Sequence, residues 1–371
     1  MKKILFTATV DSHILNFHIP YIKWFREKGY EVHVASNGTK NIPYVTKKFN
    51  IPFERAPFKL VNFKAYKELK YIIENNDYVL IHCHTPVGSV ITRLAAKNAR
   101  KKGTKIIYTA HGFHFFKGAP LKNWLFYYPI EKWLSKYTDC IITINDEDYQ
   151  IAKNKFKTKK VERVNGVGVD LKKFTMQTKE MKSNLRNKYK YDNSDFILFF
   201  AAELNKNKHQ DLLIKATSII KNKIPQVKLL LAGDGPLKDF YKKLANQLGV
   251  KEYVEFLGYR KDIQNLLCLS DVVVSSSRRE GLPVNIMEAM ATGLPLVVTN
   301  CRGNRDLVKN KVNGFVVALD DVLGLVNSIE QIFNSKELKE KYSLSSLEMV
   351  QKYSLDSVLP KMEEIYYSYL R

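Results

Sequence analysis

Two glutamates eight residues apart flank a segment whose residue types favour anion binding. Glu280 precedes, and Glu288 lies within, an amphipathic segment predicted to be helical from about Val284. Pro283 suits the start of that helix, because its fixed φ is helical and its missing N–H is not needed there. The amides around Gly281 and Val284 would then point out of a helix N-terminus, which favours an anion. A carboxylate on each side suits a ligand that is part phosphate and part polyol, as nucleotide sugars are.

The alternative is that both glutamates are solvated charges beside an ordinary strand–helix–strand crossover. The wider string SRREGLPVNIMEAMATGLPLVVT, residues 277–299, bears on this choice. It closely resembles the E-x7-E signature of the retaining glycosyltransferases of family 4, which are two-domain enzymes of the GT-B fold. The match runs along the whole string, whereas two glutamates alone would be weak evidence.

The resemblance implies a role for each part of this string. Glu288 is expected to hydrogen-bond ribose hydroxyls, and Glu280 to hold the hydroxyls of the transferred sugar. The residues assigned to the leaving diphosphate are Lys208 and the stretch Gly281, Leu282, Pro283 and Val284. Preorganised amides and a cation can stabilise developing charge without a metal, so no metal cofactor is expected. The donor expected from the family is a UDP-sugar, attacked on the face from which the diphosphate leaves, without a covalent intermediate.

Length and composition predict two domains of α/β size. The chain has 371 residues, 45% of them hydrophobic, which is enough for two separate cores. The four cysteines are scattered without metal or redox spacing and are expected to be reduced and buried. The N-terminal run is predicted to be a first strand and not a signal peptide, and no apolar run is long enough to span a membrane.

The charge is strongly positive, with 60 Lys and Arg against 37 Asp and Glu, a net +23. Nucleic acid, anionic lipid or a phosphorylated substrate could explain it. Lysine is spread along the whole chain without a nucleic-acid-binding motif, so nucleic acid is not expected as a partner. An anionic bilayer attracts such a surface by roughly 1 kcal/mol for each well-placed Lys or Arg.

The first half of the chain alternates strand and helix patterns, which predicts a parallel sheet wound on both faces. Strands are predicted at 3–9, 31–36, 52–56, 78–84 and 105–111, and helices at 17–28, 63–74 and 89–100. Ser12 and His13 lie in the predicted loop after the first strand, where many family 4 enzymes carry paired glycines. They are candidates for contact with the acceptor; the alternative for His13 is an exposed loop residue.

Three histidines lie at predicted strand ends, where ligands of open sheets bind. His82 and His84 could bind a metal, but no third ligand is near them in the sequence, so no metal is expected. His111, in TAHG, resembles the family position that meets the donor sugar near its C6 and helps to align it. The alternative is a histidine satisfied within its own loop.

An aromatic and basic segment follows, FHFFKGAPLKNWLFYYPIEKWLSKYTD, residues 113–139. Such a composition is typical of an interfacial membrane helix. The alternative is a helix that packs its aromatic residues into the core of the N-terminal domain. Further along, Asp146 and Asp148 match the metal-binding pair of GT-A enzymes but are better explained by helix capping.

The second half opens with the stretch DFILFFAAELNKNKHQDLLIKA, residues 195–216. In the family, the end of its strand carries an arginine and, a few residues on, a lysine, both directed at the diphosphate. Lys208 falls on the lysine position, but Glu203 stands where the arginine is usual, so Arg278, Arg279 or Lys206 would have to replace it. Gly233 follows the next strand as in the family. Arg260 is expected beside the base, with a surface charge as the alternative.

The prediction is a GT-B fold, with two doubly wound, Rossmann-like α/β domains facing a cleft. Residues 1–168 would bind the acceptor, with the last helix, 355–371, packed back on them, and residues 169–354 would bind the donor. The expected activity is retaining transfer of a hexose or N-acetylhexosamine to a polyprenyl-diphosphate-linked saccharide in capsule or exopolysaccharide synthesis. The protein is expected in the cytoplasm, attached peripherally to the inner face of the membrane. A nucleotide-sugar epimerase and a non-catalytic partner subunit are the alternatives.

Overall fold

The computed structural model describes residues 1–370 and divides them into two compact units. Unit 1 comprises residues 1–167 together with the C-terminal residues from Val358, and unit 2 comprises Gly168–Ser357. Each unit has its own parallel sheet and its own buried apolar core. The two parallel-sheet, Rossmann-like α/β units predicted from the alternating pattern are thereby confirmed.

The elements follow the chain in order. The first part contains β1 (Lys3–Val10), α1 (Asp11–Phe17), α2 (Ile19–Glu27), β2 (Glu31–Asn37), β3 (Lys47–Asn50), α3 (Val61–Glu74), β4 (Tyr78–His84), α4 (Pro86–Ala95), α5 (Lys97–Lys101), β5 (Lys105–Ala110), α6 (Leu121–Leu134), β6 (Cys140–Thr143), α7 (Asp146–Lys155) and β7 (Lys160–Arg163). The second part contains α8 (Lys179–Tyr189), β8 (Phe196–Ala201), α9 (Gln210–Ile220), β9 (Val227–Ala232), α10 (Lys238–Gln247), β10 (Val254–Gly258), α11 (Ile263–Leu269), β11 (Val272–Ser275), α12 (Val284–Ala291), β12 (Leu296–Thr299), α13 (Asn304–Leu307), β13 (Gly314–Val317), α14 (Val322–Asn334), α15 (Lys336–Val350) and α16 (Leu355–Leu370).

Both sheets reverse their strand order once. The seven strands of unit 1 lie in the order β3-β2-β1-β4-β5-β6-β7, and the six of unit 2 in the order β10-β9-β8-β11-β12-β13. The order therefore reverses between β1 and β4 in unit 1 and between β8 and β11 in unit 2. Open parallel sheets bind ligands beyond the carboxyl ends of the strands at such a reversal. The loops after these four strands are where functional residues are expected.

Two local predictions in unit 1 were wrong. No strand forms at residues 52–56; the edge strand is β3, whose lysine-rich sequence lacks the apolar run by which buried strands are recognised. The stretch after β1 is not a loop but helix α1, which starts at once with Asp11. The Asp11 carboxylate is buried, accepts a hydrogen bond from the Ser36 hydroxyl at 2.6 Å and lies 3.0 Å from the Lys48 ammonium. These partners come from β2 and β3, so the local sequence does not reveal them.

Helix α16 contributes a buried aromatic face to unit 1. Tyr366 is fully buried, and its ring lies 4.7 Å from that of Phe25 and 5.7 Å from that of Trp24, between centroids. The Tyr366 hydroxyl is 2.9 Å from Nδ1 of His82 in β4. The last helix is therefore part of the core of unit 1 and helps to hold the central strand β4.

A buried ion pair fixes α6 to α4. The Arg93 guanidinium is fully buried, contacts the Glu131 carboxylate at 2.8 and 3.1 Å, and lies 4.3 Å from the centroid of the Tyr108 ring. Glu131 belongs to the inner side of α6, and the opposite side of this helix is exposed. Among residues 1–370, none of the helices has the combination of length and apolar character needed to cross a bilayer.

Candidate functional site

In unit 2 the loops after β8 and β11 are tied together by hydrogen bonds. The carbonyl of Lys208 accepts a hydrogen bond from the Ser276 hydroxyl at 2.7 Å, and the Arg278 amide donates to the Asn207 carbonyl at 2.8 Å. The Asn205 side-chain oxygen accepts from the amides of Asn207 and Lys208, both at 3.0 Å. The two loops at the strand reversal therefore form one hydrogen-bonded layer that presents Lys208.

Lys208 and Glu280 form an ion pair within this layer. The lysine ammonium lies 2.5 Å from the Glu280 carboxylate, and the two side chains are 21% and 11% exposed. Seventy-two residues separate them in the chain, so only the fold brings them together. The predicted catalytic cation and the predicted sugar-binding carboxylate thus occupy one place, where the lysine's charge can also reach a bound anion.

The N-terminus of α12 lies directly after Glu280 in the chain. Pro283 is the N-cap residue, and no side chain caps this end. Within the described residues, the backbone amides of Gly281, Leu282 and Val284 make no hydrogen bond. Leu282 is buried, which anchors the loop, so these amides and the helix dipole are held in place. The predicted anion-binding geometry is therefore available.

Glu288 lies on α12 in an environment that disfavours its charge. Burial raises the pKa of this carboxyl to about 7, with the nearby charge of Lys173 acting in the opposite direction. A carboxyl without a dedicated cation partner keeps its oxygens available for hydroxyl groups. Glu288 lies on the helix whose N-terminus offers the free amides, which is consistent with the predicted contact with a ribose.

Gly233 has a demonstrable structural role. Its φ is +148°, and a Cβ there would lie 2.0 Å from the Ala202 carbonyl oxygen, so the loop after β9 can approach the loop after β8 only with glycine. Gly303 is similar: a Cβ would lie 2.7 Å from the Gly281 carbonyl oxygen. Sequence reasoning did not single out Gly303; the signal available was a glycine in the short segment between β12 and α13.

Arginines named as candidates in unit 2 have protein partners. Arg260 makes two hydrogen bonds to Asp262, at 2.8 and 2.6 Å, which lower the pKa of that carboxyl to about 2. Arg278 bonds Asp320 and the ring of His209. Glu203 and Lys206, which lie on the same loop, are both exposed. No contact in unit 2 therefore singles out a replacement for the arginine usual at the position of Glu203.

In unit 1 the first helix and two strand ends bring histidines together. His13 Nε2 lies 3.2 Å from His111 Nε2, and His111 Nε2 lies 3.4 Å from His84 Nδ1. Burial lowers the pKa of His111 to about 4 and that of His13 well below its usual value, so both rings are neutral at pH 7. Ser12 precedes His13 in the first turn of α1. Two predicted site residues, His13 and His111, are thus in contact.

The expectation that no third possible ligand lies near His82 and His84 was wrong for His84. His84 lies in the same cluster as His13 and His111, and the ring of His18 stacks on it with centroids 3.7 Å apart. His82 is different, because its two nitrogens are 2.9 Å from the Tyr366 hydroxyl and 2.8 Å from the Thr109 hydroxyl. Neighbours along the sequence could not show this, since the rings come from separate elements.

Part of the aromatic and basic segment packs into the core, and part has the exposed apolar character of an interfacial helix. Phe115 is fully buried, and Trp124 and Tyr128 pack against it with ring centroids 5.5 Å away. In contrast, Leu125 and Phe126 of α6 are 64% and 62% exposed, and further exposed apolar residues on this helix are Leu121, Ile130 and Trp133. One side of the segment therefore belongs to the core and the other forms an exposed apolar surface.

The acidic residues after β6 form a helix start, as the capping interpretation predicted. Asp146, Glu147 and Asp148 occupy the first turn of α7, and the Asn145 side chain accepts a hydrogen bond from the Asp148 amide at 2.9 Å. Asp148 also accepts from the Phe113 amide at 3.0 Å. The capping interpretation therefore explains why acidic residues stand at the start of α7.

Comparison with known proteins agrees with this architecture. Residues 181–346 match the family model described as glycosyl transferases group 1, and residues 3–145 match the model described as glycosyl transferase 4-like. The chain is 46% identical over 370 residues to the putative glycosyltransferase EpsD of Bacillus subtilis strain 168, covering 100% of this chain and 97% of that one.

A second relative and a solved structure extend the comparison. The chain is 28% identical over 310 residues to the Escherichia coli UDP-Gal:alpha-D-GlcNAc-diphosphoundecaprenol alpha-1,3-galactosyltransferase, covering 82% of this chain and 79% of that one. The crystal structure of Anabaena Alr3699/HepE in complex with UDP and glucose matches with a TM-score of 0.82 at 20% identity, covering 99% and 100% of the two chains. The protein therefore belongs to the GT-B glycosyltransferases of the group 1, glycosyl transferase 4-like family.

Proposed function

We propose that this protein transfers a hexose or N-acetylhexosamine from a UDP-sugar to a polyprenyl-diphosphate-linked saccharide, with retention of anomeric configuration. The observation that carries the proposal is the Lys208–Glu280 pair directly before the unbonded amides at the start of α12. It joins a cation, backbone donors and a carboxylate in one place, which suits a sugar diphosphate. In this proposal unit 2 binds the donor and unit 1 the acceptor.

Each residue of this site has a chemical task in the proposal. Lys208 and the amides of Gly281, Leu282 and Val284 stabilise the negative charge that grows on the leaving diphosphate. Glu280 accepts hydrogen bonds from sugar hydroxyls, and Glu288 accepts them from the ribose. Because a cation and preorganised amides supply the charge stabilisation, the transfer step itself needs no metal at the diphosphate.

In unit 1, His111 is assigned to the sugar, and Ser12 and His13 to the acceptor. The N–H of a neutral imidazole can donate a hydrogen bond to a sugar hydroxyl. The acceptor hydroxyl is proposed to attack on the face that the diphosphate leaves, with the departing phosphate oxygen taking its proton. The name of the Escherichia coli relative, which specifies a diphosphoundecaprenol-linked acceptor, supports a lipid-linked acceptor here.

The donor class is tested by the thermal shift of the purified protein with UDP, GDP and ADP, each at about 1 mM. A nucleotide at about a hundred times its dissociation constant adds roughly 2.7 kcal/mol, which raises the unfolding midpoint by several degrees. We expect UDP to give the largest shift in wild type and little shift in Glu288→Ala, because the variant lacks the ribose contact. Glu337→Ala, an exposed glutamate of the same unit, serves as the control and should keep the shift. No shift with any nucleotide would contradict the donor assignment.

A lipid-linked acceptor is met at the bilayer, and unit 1 has surfaces suited to it. The exposed side of α6 carries Leu125 and Phe126 together with Lys122 and Lys132. A second exposed apolar set, which sequence reasoning missed, lies before and within α3: Phe58 and Leu60 are 87% and 91% exposed, and Phe63 is 61% exposed. Apolar side chains mixed with lysines suit an anionic membrane interface, so we propose peripheral attachment to the cytoplasmic leaflet.

Replacing Leu125 and Phe126 together with serine should weaken binding to anionic vesicles by about tenfold or more. Full burial of such a side chain stabilises by about 1.5–3 kcal/mol, and about 1.4 kcal/mol corresponds to tenfold in affinity. Sedimentation with phosphatidylglycerol vesicles at low salt measures the bound fraction. Phe240→Ser, which changes an exposed aromatic residue of unit 2, should bind as wild type does. Wild-type protein that ignores these vesicles would refute the membrane proposal.

A further inference from the structure

Four of the eight histidines of the chain form a compact group in unit 1, which we call the histidine cluster: His13, His18, His84 and His111. One ring nitrogen from each lies within 4.8 Å of those from the other three. The rings come from α1, from the residue that follows it, from the end of β4 and from the residue after β5. The cluster therefore lies at the strand reversal of this sheet, where open α/β sheets bind ligands.

Several nitrogens of the cluster are buried without a partner. Both ring nitrogens of His18 and Nε2 of His84 have no hydrogen-bond partner among the described residues. The His18 side chain is 1% exposed and that of His84 is fully buried. A buried polar atom without a partner costs about 1–3 kcal/mol, so native structures seldom leave such atoms unsatisfied. The unpartnered nitrogens of His18 indicate that the cluster has a ligand that the described residues do not supply.

The spacing of the nitrogens fits a four-coordinate metal ion. Zinc binds imidazole nitrogen at about 2.0–2.1 Å in tetrahedral geometry, which places two ligating nitrogens roughly 3.3–3.4 Å apart. The His13–His111 and His111–His84 nitrogen pairs are separated by 3.2 and 3.4 Å. Without a metal, His111 Nε2 carries either one hydrogen or one lone pair, so it can make a good hydrogen bond in only one of these two contacts.

We propose that the histidine cluster binds one divalent transition-metal ion of the zinc class through His13, His84 and His111. The His18 ring stacks on His84 and so cannot ligate the same ion; a water molecule takes the fourth position, from which it can donate to a nitrogen of His18. An all-imidazole ligand set suits Zn²⁺, Cu²⁺ or Ni²⁺ rather than Mg²⁺ or Ca²⁺, which require oxygen ligands. The cation site lies wholly in unit 1 and does not replace Lys208 at the diphosphate. It links α1 to the ends of β4 and β5 and so stabilises unit 1. His13 and His111 ligate through Nε2 and keep Nδ1–H as a donor for a substrate hydroxyl.

Zinc binding is measured by isothermal titration of the full-length, untagged protein after metal has been removed with EDTA. We expect one Zn²⁺ per chain and a higher unfolding midpoint, because an ion that binds only the folded state stabilises it. Co²⁺ should give the visible absorption of a four-coordinate site. Replacing His13, His84 or His111 with alanine removes a ligand and should weaken Zn²⁺ binding by more than the 10–100-fold, roughly, that is lost when only a ligand's supporting partner is removed.

His114→Ala is the matched control, because His114 lies three residues after His111, outside the cluster, with its ring on Tyr127. It should bind Zn²⁺ as wild type does. If an alanine variant does not fold, the Co²⁺ spectrum of the wild-type protein still shows whether a four-coordinate metal site is present. Either of two results would overturn the proposal: wild type without a tight Zn²⁺ site, or Zn²⁺ binding that persists in the double variant His13→Ala/His111→Ala. The assay measures binding alone, so its failure would leave the proposed sugar transfer standing.

Discussion

Replacing Lys208 with methionine should lower kcat/KM for sugar transfer by about 10²–10³-fold. Removing one preorganised donor from a site of developing charge costs this much in other enzymes. Here the backbone of Lys208 is held by hydrogen bonds with Ser276 and Asn205. Its side chain is only 21% exposed and is paired with Glu280, so neither water nor another side chain can take its place at low cost. The loss should appear in kcat at saturating donor, because the charge develops as the diphosphate leaves.

The control for this variant is Lys206→Met, two residues away on the same loop. Lys206 is exposed, and losing it should change kcat/KM by less than about threefold. The unfolding midpoints of both variants show whether folding is intact. Activity of Lys208→Met within about threefold of wild type would exclude this lysine from the transfer step. A large loss in Lys206→Met instead would identify it as the replacement for the arginine absent at Glu203.

Replacing Glu131 with alanine should destabilise unit 1 by about 3–5 kcal/mol. The change leaves the Arg93 guanidinium, which is fully buried, without its ionic partner, and an uncompensated buried charge has this cost. The free energy is best measured by hydrogen exchange of the buried amides of β4 and β5. Exchange through opening of unit 1 should become at least about 10²-fold faster. Because exchange is measured at individual amides, it reports the stability of unit 1 separately from that of unit 2.

The double variant Arg93→Met/Glu131→Leu tests the cause. Removing both charges leaves no unpaired ion, so this variant should recover most of the lost stability. If it is as unstable as Glu131→Ala, packing of the α4–α6 contact and not charge explains the loss. Stability of Glu131→Ala within about 1 kcal/mol of wild type would show that water reaches Arg93 in solution.

The fold was predictable because its central strands are continuous apolar runs separated by amphipathic segments. β1, β4, β5, β8, β9, β11 and β12 all lie where such runs occur, with their residues almost entirely buried. β3 was missed because an edge strand needs no apolar run, and its sequence KKFN has only one apolar residue. Helix α1 was missed because long-range contacts of Asp11 decide that the chain turns helical there.

The donor side of the site was predictable from one continuous string, but its arrangement was not. Glu280, Pro283 and Glu288 lie within nine residues, so spacing alone relates them to α12. The contact of Lys208 with Glu280 depends on hydrogen bonds between the loops after β8 and β11, which no local pattern encodes. The histidine cluster was even less predictable from the local sequence, because its four rings come from segments up to 98 residues apart.

The most direct test of the central claim is transfer of radiolabelled sugar from UDP-glucose, UDP-galactose and their N-acetylated forms to a bacterial lipid extract. We expect wild-type protein to label the lipid fraction from one of these donors, with a product that keeps the donor's anomeric configuration, and Glu280→Gln to label none. A donor converted to its epimer, with no label in lipid, would instead indicate a nucleotide-sugar epimerase. Absence of any label and of any altered donor, although UDP binds, would contradict transferase activity and indicate a partner subunit.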